Sequence, residues 1–219
     1  MKGLLYKDLT ILLRSYKNNL LLLVFLYGAI VLFTGETYMA YALTVLCSMY
    51  TAYTISFDEQ SHWDAYACTL PVAPAQIVGS KYLLNVLFTL AGAAAAAVMI
   101  ALLSLTRAVP VDPAECVAGI TVCASVSLLM SALLMPVSYR WGGARARSYM
   151  AALIFAVIFA GILVGQFMSE AEKAALTDSL ARVNSSSVWV FIVVVLAVTL
   201  VLYAVSYSLC VGVYQKKEK

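Results

Sequence analysis

The chain has 219 residues, of which 63% are hydrophobic and 11% charged, with a mean hydropathy of +0.93. A water-soluble domain carries about 25% charged residues, so that class is excluded. The net charge of +3 is too small to point to nucleic acid as a partner.

The apolar residues collect in stretches of roughly 20, the length that crosses a hydrocarbon core as a helix. Six can be drawn, at about 18–34, 37–57, 82–105, 114–138, 149–168 and 188–211. Gly35-Glu36 separates the first two, the segment from Thr106 to Pro113 the third and fourth, and Arg140-Trp141-Gly142-Gly143 with Arg145 and Arg147 the fourth and fifth. The expected fold is all-α, a single polytopic membrane domain over residues 1–219, with an amphipathic amino-terminal helix ahead of six spans.

That first segment, residues 1–17, sets Leu5, Leu9, Leu12 and Tyr16 at helical spacing, with Lys7, Arg14 and Lys17 on another side. The pattern favours a helix lying along the membrane surface over a plain extension of the first span. No small-residue cleavage site follows the first apolar run, so the span is expected to remain. Orientation follows from the basic residues. With a cytoplasmic amino terminus, Lys2, Lys7, Arg14, Lys17, Lys81, Arg140, Arg145, Arg147, Lys216, Lys217 and Lys219 fall inside, and Arg107, Lys173 and Arg182 outside, 11 against 3 of the 14. Both termini are then cytoplasmic.

Within the second span Thr37, Tyr41, Thr44, Ser48 and Thr51 follow steps of 4, 3, 4 and 3 and share one face. That face is expected to turn from lipid, either against other helices or along a substrate route. The loop over residues 58–80 is the most polar internal segment. It holds Asp58, Glu59, His62, Trp63 and Asp64 and closes at Leu70-Pro71. Ser61 followed three residues later by Asp64 reads as a capping start for a short helix to about Cys68, and a second helical signal begins after Pro74 and runs through Lys81 into the third span. Trp63 and Tyr66 on a short acidic helix suit a docking surface better than a bare connector. In the third span the small residues from Gly92 to Ala97 suggest close helix approach. Residues 169–187 outside the fifth span open on Ser169-Glu170-Ala171-Glu172, a helical signal for a small outer cap or an ordinary exposed loop helix.

The remaining chemistry is sparse. Cys47, Cys68, Cys116, Cys123 and Cys210 show no paired spacing and read as small packing residues; with His62 the only histidine, no metal site is expected. There is no GxxxxGK[ST] loop, so the chain itself is not expected to hold ATP. No ionisable group sits deep within an expected span, which counts against a secondary transporter. No nucleophile–base pair or carboxylate pair falls there either, which counts against an intramembrane enzyme.

The order of an amphipathic amino-terminal helix, two spans, an Asp-Glu loop with Trp63, then Thr69-Leu70-Pro71 and Ile77-Val78-Gly79-Ser80-Lys81-Tyr82, resembles the permease subunits of ABC type-2 exporters. It is most similar to the short six-span bacterial permeases of peptide export and self-protection. It departs from them at Ala73-Pro74. The resemblance implies that Asp58, Glu59, Trp63, Asp64, Leu70, Pro71 and Lys81 belong to a coupling loop against a cytoplasmic ATPase. It also implies a second permease subunit, ATP and Mg held by the partner ATPase and no cofactor on this chain, and export of a peptide, lipid or drug-like molecule across the cell membrane. The substrate-capturing membrane subunit of a vitamin-uptake ABC system is the main alternative, and a secondary transporter the next.

Overall fold

The computed structural model describes residues 2–67, 69, 71–107, 113–143, 145–146, 148–149, 151–152, 155, 159 and 188–217. The described elements are all helices: α1 (Lys2–Thr34), α2 (Tyr38–Met49), α3 (Thr51–Gln60), α4 (Trp63–Ala67), α5 (Pro74–Arg107), α6 (Pro113–Trp141) and α7 (Val188–Lys217). Among them, Lys2–Thr34, Pro74–Thr106, Pro113–Trp141 and Ile192–Gln215 are long and apolar enough to cross a membrane. Their outer faces carry large exposed apolar side chains such as Phe25, Phe33, Leu105 and Val193, as lipid contact requires.

The amino-terminal segment differs from expectation. Instead of a surface-lying helix ending near Lys17, α1 runs unbroken for 33 residues, about 50 Å at 1.5 Å per residue. No glycine, proline or cap interrupts it at Lys17-Asn18. The Leu5, Leu9, Leu12 and Tyr16 stripe turns toward protein: Leu12 is fully buried and Tyr16 stacks on Tyr50 and Tyr53, with ring centroids 5.9 and 5.1 Å away.

The second expected span is built from two consecutive helices. At Tyr50 the bonding tightens, with Tyr50 N–H reaching the Cys47 carbonyl at 3.3 Å and Tyr53 N–H the Tyr50 carbonyl at 3.1 Å. Ser48, Thr51 and Thr54 each donate to the carbonyl three residues back, the competition with backbone bonding that short hydroxyl side chains offer. Helix then persists to Gln60, three residues past the expected end.

Ser61 therefore closes α3 rather than opening α4: its N–H bonds the Phe57 carbonyl at 3.0 Å and its hydroxyl the Asp58 carbonyl. His62 follows at φ 50°, a left-handed turn, before α4 begins at Trp63. Cys68, Leu70, most of residues 149–168 and all of 169–187 lie outside the described residues.

α5 is the central post. Its buried face reads Val78, Lys81, Asn85, Thr89, Gly92, Ala96 and Leu103, steps of three, four or seven that keep one side inward. Two apolar clusters mark the ends of the bundle. One joins Val31, Leu43, Cys47, Ala96, Met99 and Leu103; the other joins Ile55, Ala67, Val78, Met135, Cys210 and Tyr214, with Leu4 and Trp63 against it. The start of α1 and the end of α7 thus meet at one end.

Candidate functional site

At that end, four ionised side chains from three helices form a closed set. Lys7 Nζ lies 2.7 Å from Asp58 Oδ1 and 3.1 Å from Asp8 Oδ1, while Lys81 Nζ lies 2.7 Å from Asp8 Oδ1 and 2.6 Å from Asp58 Oδ2. Two cations face two anions, with Asp8 1% and Lys81 3% exposed. Each charge has opposite neighbours, the condition under which burial of ions is tolerated. Lys7 also sits 3.9 Å from the centroid of the Trp63 ring, a cation–π contact that ties α1 to α4. Tyr66 flanks Trp63 with ring centroids 5.2 Å apart and stays mostly exposed.

Beside the set, a cleft of about 250 Å³ opens between α3, α4, α5 and the end of α6, with Glu59, Trp63, Arg140, Trp141 and Arg145 on its walls. Glu59 reaches across it to accept the Gly143 N–H at 2.7 Å.

The structure thus separates the residues expected on one loop. Asp58 and Glu59 stand on the last turn of α3, and Asp58 is buried in the ion set. Trp63 and Asp64 belong to α4, Pro71 is exposed on the connection beyond it, and Lys81 is buried on α5. Asp8 was missed. Its signal was an acid at i+3 from Leu5 and i−4 from Leu12, on the apolar stripe itself, where a charge needs a partner.

Deeper in, a neutral seam joins the helices. Asn85 Nδ2 donates to Thr51 Oγ1 and Ser131 Oγ, each at 2.8 Å, and its Oδ1 lies 3.2 Å from the Tyr203 hydroxyl, which also reaches the Tyr82 carbonyl at 2.9 Å. Ser127 donates to Ser48. Of the expected hydroxyl face, Ser48 and Thr51 enter this seam. Thr44 packs where a Cβ on Gly92 would come 2.9 Å from its Cα, and the Tyr41 ring lies where a Cβ on Gly119 would come within 2.6 Å. Thr37 stands half-buried just ahead of α2. Asn85 was missed as well; its signal was the single amide in the apolar part of α5.

Pro136 has no N–H and leaves the Ala132 carbonyl, four residues back in α6, without its helical partner. Ser206 Oγ of α7 donates to that carbonyl, and the Tyr82 hydroxyl lies 2.7 Å from Ser206 Oγ and 3.1 Å from Cys210 Sγ. The neighbouring helix repairs the defect, as membrane helices with proline require.

Compared with known families, the chain matches the ABC-2 family transporter protein model over residues 3–215. The chain belongs to the ABC-2 transporter family. No curated protein and no solved structure matches it. As an ABC-2 protein it is a multi-pass membrane subunit of an ABC transporter, which is not itself the catalytic component.

Proposed function

We propose that this ABC-2 subunit is the permease half of an exporter. It works as a dimer with itself or a sibling permease, and is driven by two cytoplasmic ATPases that hold ATP and Mg. The cargo is an amphipathic molecule, a peptide first and a lipid or drug-like molecule next. ATP-driven closure of the ATPases pushes on α4 and the adjoining end of α3, and the helices rock to move access from the inner side to the outer.

The observation that carries this reading is α4 itself: a five-residue helix that presents Trp63 and Tyr66 at the bundle end where the basic residues gather, rooted by Lys7 in the buried ion set. A short aromatic element fixed to three helices at once can transmit a push. Six spans with both termini in the cytoplasm follow on this reading. The chain reaches the charged end at Trp141 and resumes at Val188 at the opposite end, and the expected span at 149–168 supplies the pass between them. The excess of basic residues puts the charged end inside.

Trp63→Ala is the test. The expected outcome is loss of the ATPase from the purified membrane complex, or hydrolysis uncoupled from transport, because removing an aromatic anchor typically costs about 2 kcal/mol or more of association. The chain itself should still insert and fold, since Trp63 is half-buried at the edge of the bundle and gives up a cation–π contact of about 1 kcal/mol, a ring contact with Tyr66 and packing on the rim of one apolar cluster rather than a core position. Lys173→Ala on the outer side should do neither. A full complement of ATPase and normal transport in Trp63→Ala would return the segment to a plain connector.

A further inference from the structure

We infer that Glu59 is a positioning residue that ties the α3–α4 corner to the helical segment opening at Gly143, so that the two move as one body. The inference deepens the reading of residues 58–80 as the ATPase-facing segment and rests on it for its functional meaning.

A helix begins with N–H groups that have no acceptor inside it, and the residue ahead of the first turn usually lends a side-chain oxygen. Here that residue is Gly142. Its carbonyl accepts from Ala146 N–H at 3.0 Å, which starts the helix, but it has no side chain to lend. The acceptor comes from another helix: Glu59 Oε2 takes the Gly143 N–H at 2.7 Å across 84 positions of sequence. A charged acceptor there makes the bond stronger than a neutral one.

The two glycines are explained by the same contact. Gly142 has φ +90°, and a Cβ on it would run into Glu59 Oε1; a Cβ on Gly143 would strike Ser56 Oγ. Ser56 and Glu59 are three residues apart on one face of α3, so the last turn of that helix lies directly on the backbone of the turn. Three residues beyond Glu59 the chain swings through His62 into α4. A displacement of α4 therefore reaches the 143 segment through one hydrogen bond and the close seating of Ser56 on the glycine backbone. The sequence alone shows only a glycine pair and an acid 84 positions apart.

The test places spin labels at Tyr66→Cys and Tyr149→Cys, both exposed, in the full chain with its five native cysteines replaced, reconstituted in nanodiscs. The distance distribution is expected to be narrow with Glu59 in place and about twofold broader in Glu59→Ala. Glu59→Gln keeps an acceptor oxygen and should restore the narrow distribution, and Gly142→Ala, which presses on an intact carboxylate, should broaden it as Glu59→Ala does. Glu59→Ala no broader than the parent, or Glu59→Gln as broad as Glu59→Ala, overturns the inference. These arms use the chain alone, so failure of an ATPase to bind would sink the docking reading without touching them. In the complex, ATP should move the Tyr149 label relative to one at Gln215→Cys. In those Glu59→Ala complexes that retain the ATPase, that shift should fall by half or more. An undiminished shift denies Glu59 its part in transmission.

Discussion

The ion set at the charged end and the neutral seam one turn farther along α5 bury polar atoms by different means. Lys81 and Asn85 are four residues apart on the same face, about 6 Å along the axis. At Lys81 full charges from α1, α3 and α5 neutralise one another, and removing any one leaves an uncompensated ion. At Asn85 no group carries charge, and each hydroxyl or amide keeps alternatives among its neighbours. The first arrangement is strong only while complete; the second gives way by degrees. The difference fits the position of each, since ions are less costly near a membrane surface than at depth.

The comparison is broken most directly by Asp58→Ala. It leaves Lys81 and Lys7 sharing one carboxylate, and a destabilisation of about 3–5 kcal/mol is expected, the usual effect of opening a buried pair. Reversible unfolding of the purified chain in mixed micelles would measure it. Pairing Asp58→Ala with Lys81→Met should recover a large part of the loss. If the double variant is as unstable as the sum of the singles, the set is not acting as a closed unit.

Asn85→Ala should cost less, about 1–2 kcal/mol, because hydrogen bonds between membrane helices average well under that and this side chain makes several. A loss as large as that of Asp58→Ala would erase the contrast between the two regions.

The smallest effect is expected from Ser206→Ala, about 1 kcal/mol, through the Ala132 carbonyl that Pro136 leaves bare. Here the background decides the outcome. In a Pro136→Ala chain, residue 136 regains an N–H for that carbonyl, and removal of the Ser206 hydroxyl should become nearly neutral. An equal cost with and without proline would show that the bond to Ala132 matters for some other reason.

Much of the architecture was legible in the residues. The apolar runs, the breaks at Gly35 and Pro113 and the helix opening at Pro74 follow from local chemistry, and the resemblance carried by residues 58–82 led to the right family. The site was less legible. Asp58 and Glu59 look like loop acids in sequence because an apolar run is ended at its first charge, while the helix itself continues past it. The hydroxyl run Ser48, Thr51 and Thr54 gave no warning that helix would continue to Gln60.

Sequence by itself determined the class and the solvent: 63% hydrophobic residues in 20-residue runs can only be satisfied as helices in a bilayer, because each backbone group must find its partner within its own segment. The sequence also holds the residues that stand out of place, Asp8 on an apolar stripe, Asn85 in an apolar run and Pro136 inside a helix, although local pattern alone passed over them. Only the tertiary structure decided what answers them. Lys81 meets Asp8 across 73 positions, Glu59 caps Gly143 across 84, and Ser206 repairs α6 from α7 across 74. Local pattern states that a buried polar group needs a partner. The packing of distant helices, which periodicity along one helix does not encode, chooses which partner it receives.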